Sequence, residues 1–273
     1  MKKYLLRTLF CSIICVSQLV LAQETPEEQP EESAAELAKK LANPIASLIS
    51  MPFQNITDFG IGPNNGTKNT LNIQPVLPFR VSDNINLIAR FILPVVSQYD
   101  IAGQGNSEFG LGDAVFSTWL SPSQAKGGLT WGVGSAFLIP TGTDDFLTSK
   151  KFGVGPTAIA LYQTNGITVG ALFNQIWSVA GNKDRGDVST LFFNPFFSYN
   201  WKSGAGIGAG MEITQNWKAD TTTVWFSPTI SAVTSLGTQK TQFTIGPRFN
   251  LAAPDGSKAD LGIKAQIVFL FPK

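Results

Sequence analysis

Hydrophobic and polar residues alternate with a period of two along most of the chain after Pro44. The alternation is clearest in 207–214 and 261–271, where apolar residues occupy every second position. Successive side chains of a strand point to opposite faces, whereas a helix repeats its apolar residues every three to four positions. The pattern therefore predicts many short strands with one apolar and one polar face. Two segments, 114–120 and 168–179, carry apolar residues on both faces.

The predicted connections between these strands alternate in length. Asn165-Gly166 is a two-residue turn of the type I′ kind, which joins antiparallel neighbours. The longer connections are 58–69, 99–108, 141–151, 181–187 and 253–260. Long loops at one end and tight turns at the other are typical of outer-membrane barrels. The pattern predicts an all-β fold, a closed antiparallel transmembrane β-barrel of about twelve strands with short periplasmic turns and longer extracellular loops.

The distribution of charge favours a barrel over a soluble sandwich. Only 14% of the residues are charged, against about 25% in soluble domains, and these charges concentrate in the connections. Large aromatic residues lie near predicted strand ends, as interfacial girdles require: Trp131, Tyr162, Trp177, Tyr199, Trp217 and Phe271. Several prolines fall inside predicted strands, where we interpret them as bulges or strand ends: Pro75, Pro78, Pro94, Pro195, Pro228 and Pro247.

The first 43 residues differ from the rest. Residues 1–22 have basic residues, then an apolar core, then small residues, which predicts a secretory signal peptide; an inner-membrane anchor is the alternative. Residues 23–43 form an acidic segment that we expect in the periplasm, and Ser33 with Glu36 predicts a capping box for a short helix. We favour a solvated tail here over a plug that enters the barrel. Residues 44–273 are the predicted barrel.

Residue types exclude several chemistries. The chain has no histidine, and its two cysteines, Cys11 and Cys15, lie in the predicted leader. This removes histidine-based nucleophilic catalysis and zinc ligation by histidine or cysteine. We therefore expect no enzyme activity, no cofactor and no metal site. A net charge of +1 without a basic block gives no reason to expect a nucleic-acid partner.

The best functional lead is charge on the predicted inner face. Pairing the strands by their loops brings Glu212 near Arg248, with Lys264 on the neighbouring last strand. Further charges from the opposite wall are Arg80, Arg90 and Asp113. These six residues are the predicted lumen-lining set. They fit either a polar constriction that selects solutes by charge or a salt-bridge network that fills a closed barrel.

Two weaker motifs have simpler explanations. The alternating glycines of 204–210 look like a nucleotide-binding loop, but an alternating strand pattern follows them, so we interpret them as small residues in a crowded barrel wall. Asp144-Asp145 could bind a divalent cation together with lipopolysaccharide, although a solvated loop is the simpler interpretation.

Several runs of sequence resemble a family of bacterial outer-membrane barrels. The runs are 41–54, 71–79, 110–113, 152–157 and 270–273. The family is described as transporters, is similar to channel proteins of the phenol meta-cleavage pathway, and includes members mislabelled "neuromedin U". The resemblance implies the barrel and its location, and it brings no catalytic residues. One departure is that Pro272-Lys273 follow Phe271, whereas such barrels commonly end on an aromatic residue read by the insertion machinery.

Together these observations predict an outer-membrane channel or transporter for passive or facilitated passage of small solutes. The expected partners are outer-membrane lipid and lipopolysaccharide, a small solute, and the barrel insertion machinery, which would read the C-terminal strand. The alternative is a non-conducting structural or adhesion barrel that binds partners through its extracellular loops.

Overall fold

The computed structural model describes residues 33–271, so the predicted signal peptide and Pro272-Lys273 lie outside the described residues. One helix, α1 (Ala34–Leu41), precedes fourteen β-segments. The segments are β1 (Ile49–Ile61), β2 (Gly66–Ile73), β3 (Val76–Arg80), β4 (Ile85–Tyr99), β5 (Ser107–Leu111), β6 (Ala114–Pro122), β7 (Leu129–Ile139), β8 (Lys151–Thr164), β9 (Ile167–Gly181), β10 (Ser189–Asn200), β11 (Ala205–Asn216), β12 (Thr221–Leu236), β13 (Gln239–Ala252) and β14 (Leu261–Phe271).

The segments form a closed antiparallel barrel of twelve strands. β2 and β3 both pair with β4 and make one barrel strand interrupted at Gln74-Pro75. β5 and β6 also pair with β4 and make another, interrupted at Gly112-Asp113. β14 pairs with β1, with Phe271 opposite Ile49, and this closes the ring. The predicted fold class and strand count are confirmed.

The two ends of the barrel differ as the connections predicted. One end, the short-turn end, holds 81–84, 123–128, 165–166, 201–204 and 237–238; the other, the long-loop end, includes 100–106, 140–150, 182–188 and 253–260. Asn165 and Gly166 both have positive φ, 44° and 82°, as a type I′ turn requires. The predicted long loop 58–69 is wrong, because β1 and β2 are joined only by 62–65. Asp58 and Lys68 resemble loop residues in sequence, but they are strand residues.

The prolines interrupt the hydrogen-bond ladder without ending every strand. Pro195 lacks the N–H group that would bond to β11, and the side chain of Asn194 instead donates to the Met211 carbonyl at 2.5 Å. Pro228 and Pro247 lie mid-strand, where the ladder between β12 and β13 is interrupted. The interpretation as bulges or strand ends therefore holds for Pro75, at the break between β2 and β3, but not for this pair.

The outer surface carries an apolar belt between two rings of aromatic side chains. Trp177 and Trp217 lie toward the long-loop end, and Trp131, Tyr162 and Phe271 toward the short-turn end; all are about half exposed. The exposed residues between the rings are mainly aliphatic and include Val133, Val169, Ile230, Ile245 and Ile263. Such a surface suits hydrocarbon bordered by two polar interfaces. Within 33–271, no helix is long and apolar enough to cross a membrane.

One half of the interior is a packed apolar core. Trp119 is fully buried, and its indole Nε1 donates to Thr157 Oγ1 at 3.0 Å. The side chains packed around it are Val76, Ile88, Ile159, Leu161 and Leu172, with Phe192 and Phe196 at the margin. This core explains why 114–120 and 168–179 carry apolar residues on both faces: one face is the belt and the other fills the barrel.

The segment before β1 lies inside the barrel at the short-turn end. The predicted capping box of α1 is present, with Ser33 N donating to Glu36 Oε2 at 3.0 Å and Glu36 N to Ser33 Oγ at 3.3 Å. Leu37 is buried against Val233 of β12 and Val268 of β14. Ile45 joins the Trp119 core on the opposite wall.

The expected solvated tail is therefore wrong for the described part of this segment. The apolar stripe of the helix, centred on Leu37 and Ala38, is buried by the inner wall of the barrel. Polar contacts add to this packing: Gln163 Nε2 donates to the Lys39 carbonyl at 2.8 Å, and Asn86 Nδ2 donates to Ser47 Oγ at 2.7 Å. We call residues 33–48 the N-terminal plug.

Candidate functional site

Four charged side chains form a connected network inside the barrel. The Arg248 guanidinium binds Asp58 through Nη1, at 2.9 Å and 2.7 Å to the two carboxylate oxygens. Its Nη2 donates to Glu212 Oε2 at 2.8 Å, and Lys264 Nζ donates to Glu212 Oε1 at 3.1 Å. The residues come from β1, β11, β13 and β14, so the network joins strands on both sides of the seam where the barrel closes.

Strand register explains why these side chains meet. Glu212 pairs with Trp225 on β12, and Trp225 pairs with Asn250 on β13. Arg248 is the next inward-facing residue along β13 from Asn250, so it lies one inward-facing position from the level of Glu212. Asp58 and Arg248 both lie opposite Gly262 on β14, where the absent side chain leaves room for the pair. The guanidinium also stacks over Trp225, 3.6 Å from the ring centroid, which fixes it in the plane that binds both carboxylates.

The charges of this network are largely compensated. Asp58 and Arg248 are buried, with exposed fractions of 8% and 6%, so removing Arg248 would leave the Asp58 carboxylate without its hydrogen-bond donor and out of contact with water. Both oxygens of Glu212 are occupied by cations. Lys68 adds a further positive charge beside Asp58, its register partner on β2.

The structure brings together three of the six predicted residues, Glu212, Arg248 and Lys264. Arg80 lies at the short-turn end, where it pairs with Asp83 at 2.5 Å on an exposed surface. Arg90 faces the interior and stacks over Trp119, 5.1 Å from the ring centroid.

Asp113 lies at the break between β5 and β6 and organises the 140–150 loop. It accepts hydrogen bonds from the backbone N–H groups of Gly142 and Ser149 and from the hydroxyl groups of Thr148 and Ser149. Neither Asp113 nor Arg80 or Arg90 contacts the Arg248 network in the part of the chain that the structure describes.

Sequence reasoning missed Asp58, which the prediction placed in a loop. The one usable signal was Gly62, where the true turn begins. Polarity does not alternate here, because Ile56 shares the inner face with Asp58 and Thr57 shares the outer face with Phe59. The apolar outer face is further weakened by polar residues that point outward. Asn69 is one of these, and its side chain donates to Thr57 Oγ1 at 2.7 Å.

A cavity of about 340 Å³ lies beside the network, in the half of the interior opposite the apolar core. Glu212 and Lys264 border it, as do Arg90, Phe196 and the N-terminal plug. Most other lining side chains are amides and hydroxyls: Gln54, Gln74, Asn194, Ser198, Asn200, Ser227, Thr229, Ser231, Gln242, Thr244 and Gln266. A wall of this composition can both donate and accept hydrogen bonds.

The two weaker motifs have defined structural roles. Gly206 and Gly208 lie in β11, which continues as a strand, so the phosphate-loop geometry is not formed. Asp145 pairs with Lys150 at 2.5 Å, and the hydrogen bond from Lys150 holds the pKa of that carboxyl below its usual value. Within residues 33–271 no group of three acidic, histidine or cysteine side chains is arranged to hold a metal ion.

Comparisons with known proteins bear on the fold. No protein-family model matches the chain, and no curated protein matches its sequence. The COG4313 outer membrane channel from Pseudomonas putida F1 is similar in structure, with 16% identity over 82% of this chain and 94% of that chain and a TM-score of 0.66. At that identity the likeness shows the fold, that of an outer-membrane barrel.

Two further solved structures match less well. The CymD monoaromatic hydrocarbon channel has 10% identity over 86% of this chain and 91% of that chain, with a TM-score of 0.48. Outer membrane phospholipase A from Escherichia coli has 9% identity over 87% of this chain and 98% of that chain, with a TM-score of 0.46. Both TM-scores are too low for these two structures to add evidence about the fold.

Proposed function

We propose that this chain is a bacterial outer-membrane channel through which small solutes pass by way of the polar half of its interior. The observation that carries the proposal is the cavity of about 340 Å³, lined by amide, hydroxyl and charged side chains, within a barrel whose other half is packed. A purely structural barrel gains nothing from a hollow lined with polar groups, because buried polar atoms destabilise the fold unless they are satisfied.

The outer surface supports the proposed location. Its aliphatic belt and two aromatic rings match the hydrocarbon and interfacial zones of a bilayer. In this arrangement the short-turn end and the N-terminal plug face the periplasm, lipopolysaccharide surrounds the long-loop end, and the insertion machinery reads β14. The absence of histidine supports a role without catalysis.

The network around Arg248 is the proposed selectivity element of this channel. Glu212 and Lys264 line the cavity, and Arg248 is bound to Glu212. A solute that passes through the polar half therefore meets fixed charges of both signs. Such charges select solutes by electrostatic interaction at close range. Arg90 contributes a further positive charge to the same cavity.

Conductance of the purified chain in planar bilayers tests the proposal. We expect small, steady single-channel currents that rise when Leu37→Asp weakens the packing of the N-terminal plug, because burying a charge against Val233 and Val268 is unfavourable. Arg248→Gln should change the cation-to-anion preference, whereas Arg80→Gln, at the exposed rim, should leave it unchanged. A correctly folded barrel that stays silent in both the wild-type and Leu37→Asp forms would instead support the non-conducting structural barrel.

A further inference from the structure

Arg90 is a cation without a carboxylate partner. Its guanidinium lies over Trp119, it makes no ion pair or hydrogen bond with any other described residue, and its Nε is buried and unpartnered. Arg248 lies closer over a tryptophan, 3.6 Å from the Trp225 centroid, and its Nε is also buried and unpartnered, but its two Nη groups are bound to carboxylates. A buried guanidinium is stabilised when its donors are paired with an anion. Arg90 is therefore a candidate binding site for an anion from outside the protein.

The charge around the cavity also favours an anion. Among the described residues of the barrel wall that line it, Arg90 and Lys264 are the cations and Glu212 is the carboxylate. Glu212 is bound to Lys264 through one oxygen and to Arg248 through the other. The charge of Arg90 is therefore the one on this wall that no described carboxylate pairs with, and it attracts anions into a narrow polar space.

Two serine side chains that line the same cavity have hydroxyl groups without partners. Ser227 is only 4% exposed, and its Oγ, like that of Ser198, is buried without a hydrogen bond. Rotation about χ1 would turn each hydroxyl toward the cavity, where it can donate to and accept from a hydroxyl group of a bound solute. The cavity volume, about 340 Å³, lies at the lower end of the roughly 300–1,000 Å³ range of pockets that hold small organic ligands.

We propose that this cavity binds a small carboxylate anion that carries hydroxyl groups, with Arg90 holding the carboxylate and Ser198 and Ser227 the hydroxyls. A carboxylate fits better than a phosphate dianion, because the guanidinium of Arg90 supplies a single positive charge, which a monoanion neutralises, and its planar edge binds both carboxylate oxygens. Glu212 would also repel a doubly charged group more strongly. As a statement about the transported solute, this inference rests on the proposed channel function.

Calorimetric titration of the purified chain in detergent tests the site without requiring conductance. The probes are gluconate, a polyhydroxy monocarboxylate; sorbitol, its neutral counterpart; and propionate, a carboxylate without hydroxyls. We expect gluconate to bind at least about tenfold more tightly than sorbitol, since a charge-assisted hydrogen-bonded pair contributes about one to two orders of magnitude in affinity. Propionate should bind more weakly than gluconate.

Substitutions in the cavity wall test where gluconate binds. Arg90→Gln should raise the Kd for gluconate at least about tenfold, and Arg80→Gln, a matched change at an exposed arginine, should change it by less than about twofold. Ser227→Ala should weaken gluconate binding and leave propionate binding unchanged. Arg90→Lys keeps the positive charge but lacks the two parallel donors of the guanidinium, so it should bind gluconate with intermediate affinity. This variant provides the test if Arg90→Gln does not fold.

Equal affinity for gluconate and sorbitol, no binding of gluconate, or a folded Arg90→Gln protein with wild-type affinity would overturn the inference. Conductance then separates it from the proposed function. If the chain binds gluconate through Arg90 but passes no current, the result supports this binding site and contradicts the channel function. If the chain conducts but binds no carboxylate, the result supports the channel function and contradicts this binding site.

Discussion

The two halves of the barrel interior are built from the same kind of strand, yet one is solid and the other hollow. β4, β6, β8 and β9 turn large apolar side chains inward, among them Trp119 and Leu172. β11 to β14 instead turn mainly serine, threonine, asparagine, glutamine and charged residues inward, apart from the apolar residues beneath α1. Both halves present an aliphatic surface outward.

The difference shows that the inward-facing positions alone decide whether a barrel of this size is filled. A twelve-strand barrel is wider than the eight-strand barrels that side chains fill completely and narrower than those with a broad aqueous channel. Here the packed half and the N-terminal plug reduce the open cross-section, and the polar half keeps a cavity. Stability should therefore depend mainly on the packed half, and passage mainly on the polar half.

The largest expected effect comes from truncating the centre of the packed half. Trp119→Ala should lower the free energy of unfolding by about 3–5 kcal/mol, because it leaves a cavity in the core. Trp131→Ala, a matched change on the outer surface, should cost less than about 1 kcal/mol, since it leaves no internal void. Urea unfolding in detergent measures both, and equal losses would contradict a core confined to this half.

A loss of about 3 kcal/mol is expected when the charge network loses its central cation. Arg248→Gln leaves Asp58 and Glu212 with fewer partners in a buried site, which is the costly way to break an ion pair. Adding Asp58→Asn should recover part of the loss, because one unpaired charge is then removed. Arg80→Gln, at an exposed pair, should change stability by less than about 0.5 kcal/mol. A double variant no more stable than the single one would argue against this coupling.

Two inward-facing glycines differ in how closely the backbone of the neighbouring strand approaches them. A Cβ at Gly134, in the packed half, would lie 1.8 Å from the backbone oxygen of Thr118, whereas at Gly210, in the polar half, the nearest atom is 3.6 Å away. Gly134→Ala should therefore destabilise the barrel by about 1–3 kcal/mol, and Gly210→Ala by less than about 0.5 kcal/mol. Comparable losses in thermal unfolding would contradict the close approach of the β6 backbone to Gly134.

A smaller effect is expected at the N-terminal cap of α1. Ser33→Ala removes the capping hydroxyl and should cost the helix about 1 kcal/mol. Because α1 packs against the inner wall, the change should raise the fraction of time that a channel is open, while global unfolding changes little. Single-channel recordings measure this, with Ser82→Ala, an exposed turn residue outside the plug, as the control. Open times identical to the wild type would show that the cap does not hold the plug.

The same cap predicts the weakest effect, a dependence on pH. Hydrogen bonds from the backbone and side chain of Ser33 hold the pKa of Glu36 below its ordinary value of 4.5. A carboxyl group with a lowered pKa stabilises the folded state above its unfolded pKa and loses that contribution as pH falls through the folded value. Open times should therefore lengthen slightly on acidification below pH 4.5 and not in Glu36→Gln.

The sequence predicted the strands of the barrel wall but few of the contacts inside the barrel. Alternation and turn residues predicted the closed sheet, the Asn165-Gly166 turn and the capped helix, because these depend on neighbours in sequence or in the ladder. The same register placed Glu212 within reach of Arg248. Alternation assigns a side chain to a face, but it does not say what that side chain meets across the lumen. The plug, the stacking of Arg90 on Trp119 and the contribution of Asp58 depend on such contacts, so they could not be predicted.

The helix α1 joins the two ends of the chain. It precedes β1 in the sequence, yet it packs against Val268 and Leu270 of the last strand. Contacts between residues so far apart in sequence form slowly. We therefore expect the barrel interior to be filled late in folding, when β12 and β14 are in place to receive the helix.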